Sequence, residues 1–519
     1  MDIICGQDGL FGFIGHSSDV LAVVPSSPAA NVGANMTFPA DVPLPGIDEL
    51  RALYTAGSIS PADVVNAVID RIEKHEEADP AVWISKVSRK QALSAANKLA
   101  ARYRGKPLPA LYGIPFSVKD NIDVAGYKTT SACQAYTTTP DTHAVAVQHV
   151  LEAGGLFMGK TNMDQLSTGL SGCRSPFGTP QNSFSPAHIP GGSSSGGVVS
   201  VGSNLVCFSL TTDTAGDTRI PAALNGVVGL SPTKGTVSAT GVVPVCKSLD
   251  TIGVVSRTVS DTRTIWRVIA QYDRGDVHAK LPHTLSTWHV DFRGLDKGGF
   301  TFTTPDESAL EACSPVYRDL FARSVKALES AGGKLRESAY SILDRAGDLL
   351  YDGTLWHESI ACIGEDFLRS SISGTEETFD GIVRGLHPVT RRLFAEALDK
   401  SPSAYDVLQD QALQTHMTRL AQQCLDTFSG GVDFLLVPAT VCHPTLQEME
   451  ADPLGLNFKL GKFAHFGNVV DFCGVSVPSA TYTDENGVRL PFGVTIIGAS
   501  GFDAKVLDVA AILEKVAQL

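Results

Sequence analysis

The spacing of apolar positions changes along this chain, and the changes divide it into regions. From Ile47 to Tyr103 apolar residues recur every three to four positions, as amphipathic helices require. The stretch "SPADVVNAVIDRIEKH" opens on Ser60 as N-cap with Pro61 at the first helical position, and "RKQALSAANKLAARY" predicts a second helix. Short apolar runs then alternate with helical patterns. "GIPFSVKD" (Gly113 to Asp120) and "GGLFMGK" (Gly154 to Lys160) read as buried strands, with the helix "AVAVQHVLEA" between them. Further strands are predicted at "LVCFSLTTD", "GFTFTTP", "DFLLVPA" and "FGVTIIG", the last followed by the helix "DAKVLDVAAILEKVAQL". Strands with helices interposed predict an α/β sheet covered on both faces. A mostly helical stretch from about Glu307 to Asp426 predicts a lobe inserted before the final strands. Residues 1–44, rich in Gly, Ser and Pro, read as an irregular extension, which leaves 45–519 as a single domain without an internal repeat.

Composition narrows the classes of function. With 43% hydrophobic and 18% charged residues over 519 positions, the chain is globular and long enough for a sizeable core; its 49 glycines and 28 prolines predict many tight loops. A net charge of −14 without a Lys/Arg-rich block argues against nucleic acid and membrane surfaces as partners, since both need phosphates neutralised. The ten cysteines form no CxxC pair or Cys/His cluster, so neither a metal site nor a disulfide framework is expected, and a reduced, cytoplasmic protein follows. Cys133, Cys173, Cys207 and Cys246 read as small core residues. The N-terminal segment lacks a basic region and is broken by Asp8, His16 and Asp19, unlike a signal peptide, and no apolar run reaches the ~18 residues a membrane span needs.

Candidate chemistry concentrates between Lys119 and Arg219. Lys119 ends a predicted buried strand, where a cation must be paired or neutral. "PGGSSSGG" (Pro190 to Gly197) places hydroxyls among glycines, and in "TTDTAGDTRIP" (Thr211 to Pro221) the small residues Ala215 and Gly216 precede position 217 so that successive amides can form an oxyanion nest. Acyl transfer at an amide needs such parts: a nucleophile, a base and N–H donors.

These stretches, with "GIPFSVKDNIDVAG", "GKTNMDQLSTGLSGCRSPFGTPQNSF", "TDTAGDTRIPAALNGVVGLSPTKG" and "LPFGVTIIG", resemble the amidase signature family over most of residues 46–517. Within the family the chain most resembles the amidase domain of allophanate hydrolase, which splits N-carboxyurea to ammonia and carbon dioxide; "VKDNIDVAG", "DQLSTGLSGCRSPFGTPQNSF" and "ADPLGLNFKLGKFAHFGNVVDFCGVSVP" carry that likeness. The resemblance implies an amidase signature fold, a large mixed sheet with an inserted helical lobe. It also implies a hydrolase acting on the C–N amide bond of a small molecule without a cofactor or metal, and a homodimer, as is common in the family. The chain ends just after its last predicted helix, so the further C-terminal domain of some allophanate hydrolases is not expected.

Family members use a Ser–cis-Ser–Lys triad, and the resemblance assigns its parts residue by residue. The base is Lys119, the relay serine is Ser193, and the nucleophile position, 24 residues further on, is Asp217 where a serine is expected. Thr214, Ala215, Gly216 and Ser194 take the oxyanion and substrate-binding roles, with Asp213 and Arg219 in support. In the family's "LYEGPWVAER" a tyrosine and an arginine hold the substrate carboxylate; here "LYDGTLWHES" keeps the tyrosine as Tyr351 but has Ser359 at the arginine position, so the bidentate clamp is lost. Asp217 is expected to form a salt bridge with Lys119, keep it protonated, and direct negative charge at the oxyanion nest. Two readings follow. One is an amidase-type hydrolase with an altered mechanism, in which Asp217 attacks or activates water or Thr218 substitutes; the other is an inactive relative that binds a small molecule or partner through the kept pocket.

Overall fold

The computed structural model describes residues 42–281, 299–337, 340–350, 353–373, 378–379, 382–383 and 385–517. All but the last three residues of the extension read over 1–44, and Tyr351, lie outside the described residues.

The helical N-terminal region forms where its caps and apolar stripes place it. The helix Pro61–Glu76 starts in a capping box, in which the Ser60 hydroxyl accepts from the Asp63 amide and the Asp63 carboxylate accepts from the Ser60 amide. Its inward stripe buries Val64, Val65, Val68, Ile69 and Ile72. The helix Arg89–Arg102 uses the same device with Ser88 and Gln91.

The core is a mixed sheet of eleven strands. In chain order these are β1 (Trp83–Lys86), β2 (Pro115–Lys119), β3 (Leu156–Thr161), β4 (Phe208–Asp213), β5 (Val228–Ser231), β6 (Thr251–Ser256), β7 (Phe300–Thr303), β8 (Gly333–Leu335), β11 (Phe434–Pro438), β12 (Cys473–Thr483) and β13 (Arg489–Gly498); β9 (Thr378–Phe379) and β10 (Ile382–Val383) pair separately. Across the sheet the order is β1-β3-β2-β4-β6-β5-β12-β13-β11-β7-β8. β2, β4, β5, β6 and β11 are buried along their whole length, as strands of a sheet covered on both faces must be. All four of the further strands predicted from the sequence form. The apolar pattern assigns no strand to β1, β5, β6, β8 or β12, so the sheet is much wider than that pattern suggests.

The helical stretch expected over about 307–426 begins inside the main sheet: the helix Pro315–Ser330 connects β7 to β8, which pair in parallel. The helices Ser341–Asp348, Leu355–Ile363, Glu365–Ser373, Pro388–Asp399 and Ala404–Cys424 follow. Part of this region has its own apolar core, in which Ile360, Ile363, Leu368, Leu386, Phe394 and Ala397 close over Cys133 and Leu166 of the loops that flank the site.

Two parallel pairings position the chemistry. β2 lies between β3 and β4, with Val118 opposite Leu210 and Lys119 opposite Thr161, and the Phe116 and Phe208 rings stack at 5.2 Å across the pair. Lys119 and Asp213 therefore leave the sheet side by side at the carboxyl ends of neighbouring parallel strands, where α/β sheets place their ligands.

Candidate active site

Three segments converge at that edge: the end of β2 with Lys119, the loop that runs into the helix Ser195–Gly202, and the turn from β4 into the short helix Arg219–Leu224. The Gly192–Ser193 peptide is cis. A side chain at Gly192 would bring its Cβ to 2.1 Å from Asp164 Oδ2 and 2.5 Å from the Gly172 amide, so only glycine fits there. Asp164, buried, accepts from the Gly172 and Arg174 amides at 2.8 Å each, and its own amide donates to the Ser193 carbonyl at 3.0 Å. Asp164 thus joins the 172–174 segment, through its carboxylate, to Ser193, through its backbone amide, and no sequence signal singles it out.

Lys119, Ser193 and Asp217 form one hydrogen-bonded line. The Lys119 ammonium donates to Ser193 Oγ at 2.7 Å and to Thr212 Oγ1 at 2.8 Å, and Ser193 Oγ donates to Asp217 Oδ1 at 2.8 Å. The direct Lys119–Asp217 salt bridge expected from the sequence does not form, because the Ser193 hydroxyl stands between the two groups. Burial pushes Lys119 down to about 8, and Asp217 leads the carboxylates that oppose this. An ammonium with that value stays mostly protonated at neutral pH. Burial pushes Asp217 up, against the pull of Lys119.

The amides of Thr214 and Ala215 donate to Asp217 Oδ2 at 3.0 and 2.9 Å, while the Ser193 amide reaches Oδ1 at 3.4 Å. With the Ser193 hydroxyl, four donors meet one carboxylate, as many as its oxygens have in-plane lone pairs. The charge expected to be directed at the nest fills it, through the Thr214 and Ala215 amides. Gly216 does not contribute its amide there; that N–H donates to Asp213 Oδ1 at 2.8 Å. Ser194 is also turned inward, its amide on the Asp217 carbonyl at 3.3 Å and its hydroxyl on the Thr212 carbonyl at 3.2 Å.

Asp213 and Arg219 brace the turn. The guanidinium grips both Asp213 oxygens, Nε at 3.0 Å and Nη2 at 2.9 Å, and Nη2 also meets Asn468 Oδ1 at 2.9 Å. Burial alone would push Asp213 up, but the Arg219 charge and the amides of Gly216 and Thr218 hold it below the ordinary carboxylate value. Asn468 also donates to the carbonyls of Asp213 and Leu249. Asp250 accepts from Thr214 Oγ1 and from the Val245 and Cys246 amides, and burial pushes it up to about 7. Thr212 is an ordinary strand residue of the 211–221 segment and Asn468 and Asp250 lie outside it, and no local signal marks them.

Asp217, Thr214 and Ala215 open onto a cavity of about 200 Å³, whose other lining includes Arg174, Trp356, Ser359 and Phe458. Ser193 and Lys119 lie behind Asp217, fully buried, and do not line it. Ser359 is placed in the cavity wall, where the resemblance puts a guanidinium. Among the described residues no group of His, Cys, Asp and Glu is arranged to hold a metal ion, and no helix is long and apolar enough to cross a membrane.

The amidase family model matches residues 63–507. The chain belongs to the amidase family. Among curated amidase-family relatives, Saccharomyces cerevisiae urea amidolyase is 33% identical over 82% of this chain. One subunit of the glutamyl-tRNA(Gln) amidotransferase from Lachnospira eligens is 31% identical over 87% of this chain and 93% of its own length. The match covers only 22% of the urea amidolyase, and 24% of the one from Lachancea kluyveri, so this chain corresponds to about a quarter of those proteins. Of solved structures, Kluyveromyces lactis allophanate hydrolase superposes with a TM-score of 0.79 at 29% identity, covering 91% of this chain and 72% of that one. The fold expected from the sequence, an amidase signature fold on a large mixed sheet, is the one observed.

Proposed function

We propose that this amidase binds the amide of a small molecule in the cavity beside Asp217, at a site built for C–N hydrolysis, and that Asp217 stands where the family's nucleophilic serine would be and withholds that step. The occupancy of the Asp217 carboxylate carries this reading. Both oxygens are held by two donors each, and the two amides that would receive an oxyanion are already taken. An attack by Asp217 would forfeit charge-assisted hydrogen bonds, each worth about 1.5–3 kcal/mol net, before any bond to substrate formed. A serine at 217 would instead leave the Thr214 and Ala215 amides open and let the Ser193 hydroxyl turn to the new oxygen as a relay to Lys119.

The likeness to allophanate hydrolase and urea amidolyase supports an amide of the urea type as the ancestral substrate, and the likeness to the amidotransferase supports amide chemistry in general. The alternative of live hydrolysis draws on one observation: Asp217 lines the cavity with its carboxyl pushed up by burial, as a general base would be.

Ammonia release from a panel of small amides separates the two. The present chain is expected to show no release above background, and Asp217→Ser to gain at least a hundredfold over it. Release by the present chain that disappears in Asp217→Asn would establish live hydrolysis through the Asp217 carboxylate instead.

A further inference from the structure

A second cavity, of about 400 Å³, shares no lining residue with the one beside Asp217. The helix Gly455–Leu460 stands between the two, giving Asn457 and Phe458 to the first and Leu456 to the second. The rest of the second wall comes from the loop at His188, the segment from Cys442 to Thr445 with Glu448, and the β12–β13 turn around Asp484. Its volume falls within the ~300–1,000 Å³ of small-molecule sites. We propose that this cavity binds a small organic cation with N–H donors, of the alkylammonium class.

Charge selects a cation. Glu448, Asp484 and Glu485 line the cavity, and no lysine or arginine does. Among the described residues none of the three forms a salt bridge with lysine or arginine; Asp484 Oδ2 faces His188 Nε2 at 3.8 Å, and burial pushes His188 down, towards the neutral ring. Glu448 Oε2 accepts from the Thr445 amide at 2.7 Å, and Asp484 Oδ1 from the Asn486 and Val488 amides at 2.9 and 2.7 Å, which leaves the second oxygen of each to a ligand. Three carboxylates in a cleft without a counter-charge focus a negative potential there. A buried acceptor selects N–H donors. His443 lines the cavity, and its Nε2 meets the Ile189 carbonyl at 3.0 Å, so Nε2 carries the hydrogen and Nδ1 is the acceptor. That Nδ1 is buried without a partner. An ammonium N–H supplies the donor it lacks, which a quaternary amine could not. Val316, Leu456 and Leu490 give apolar surface to a short alkyl chain, and Tyr482, set edge-on to Tyr317 at 5.9 Å, offers a ring to the charge.

Isothermal titration of the full chain at pH 7 with 1,4-diaminobutane and with 1,4-butanediol, its uncharged counterpart, tests this. The diamine is expected to bind at one site per chain, about tenfold or more tighter than the diol. Glu448→Gln and Glu485→Gln should each weaken the diamine about threefold, whereas Glu49→Gln, on the exposed face of the helix Ile47–Thr55, should change nothing. Both cavity variants should fold, since Glu485 is exposed and a glutamine serves as well as a glutamate in the Thr445 capping box. The proposal is overturned if the diamine does not bind or binds no tighter than the diol. It is also overturned if neither cavity variant weakens binding, or if Glu49→Gln weakens it as much as they do, which would mark a general attraction to an acidic chain. The readout is binding away from Asp217, so it stands or falls separately from whether Asp217→Ser gains hydrolysis.

Discussion

At the scale of single residues, one exchange reorganises a site while leaving its scaffold in place. The groups around position 217 are held by partners that do not depend on its identity: Asp213 by Arg219, Arg219 by Asn468, Ser193 by Lys119. Lys119 at the end of a buried strand and the small-residue turn over 211–221 stood out by residue type and spacing, whereas Ser193 was singled out of its serine run only by the family resemblance. The filling of the nest was not legible. That the Thr214 and Ala215 amides both close onto one oxygen of Asp217 depends on backbone positions that spacing does not encode. Asp250 was hidden for a related reason, since its environment is assembled from Thr214, Val245 and Cys246 only on folding.

Asp250 also yields a pH prediction. Its carboxyl rises from 3.8 to about 7 through burial. A raised carboxyl binds its proton more tightly in the folded state, so its contribution to stability is complete below about pH 4 and is lost as pH rises towards 7. Asparagine can keep the hydrogen bonds without titrating. Urea unfolding of the parent minus Asp250→Asn should therefore show a difference that is flat below pH 4 and moves against the parent by up to ~4 kcal/mol by pH 7. A difference with no slope across that window would mean that Asp250 titrates normally.

At the scale of elements, the legible parts were those with local grammar. The helix Pro61–Glu76 announces its start through Ser60 and Pro61, and the structure adds Asp63 as the reciprocal partner. Ser60→Ala should cost about 1 kcal/mol of unfolding free energy, and Ser60→Asp much less, because aspartate can cap as well. Chemical denaturation of the three proteins checks this; equal stability of Ser60→Ala and parent would remove the cap from the account. The elements the pattern missed lack such grammar. β5 is four residues inside a loop-rich motif, and β12 carries Pro478 at a register shift between Pro478 and Ala480. Proline inside an apolar run argues against a strand unless a bulge accommodates it, and only the pairing with β13 reveals that one does. The order of eleven strands is likewise a matter of long-range pairing that no local window contains.

At the scale of the whole molecule, the cavity belongs to two bodies of structure that must stay together. Its floor is the sheet edge with Asp217, and part of its roof is the helix Leu355–Ile363, which contributes Trp356 and Ser359. The same helix carries Glu358, whose carboxylate accepts from the Ser248 amide at 2.8 Å, the Ser248 hydroxyl at 2.6 Å and the Cys246 thiol at 3.1 Å. Ser248 and Cys246 sit in the loop that Asp250 ties to Thr214, so one chain of polar contacts runs from the roof helix to the nest. A second attachment lies at Gln165, whose side chain donates to the Gly385 carbonyl and accepts from the His387 amide. Removing the Glu358 carboxylate leaves the Ser248 amide without its acceptor and loosens the roof by roughly 1.5–3 kcal/mol, on the usual worth of hydrogen bonds to a charged group. Where local opening is fast relative to cleavage, proteolysis follows the population of the open form. Glu358→Ala should therefore speed tryptic cleavage after Arg391, Arg392 and Lys400 by about tenfold or more, with peptides from residues 42–281 appearing at the parent's rate. Glu358→Gln, which can still accept from the Ser248 amide, should fall between. Mass spectrometry of a timed digest reads both regions at once, and equal acceleration across the chain would show that Glu358 supports global stability and not the closure of the roof.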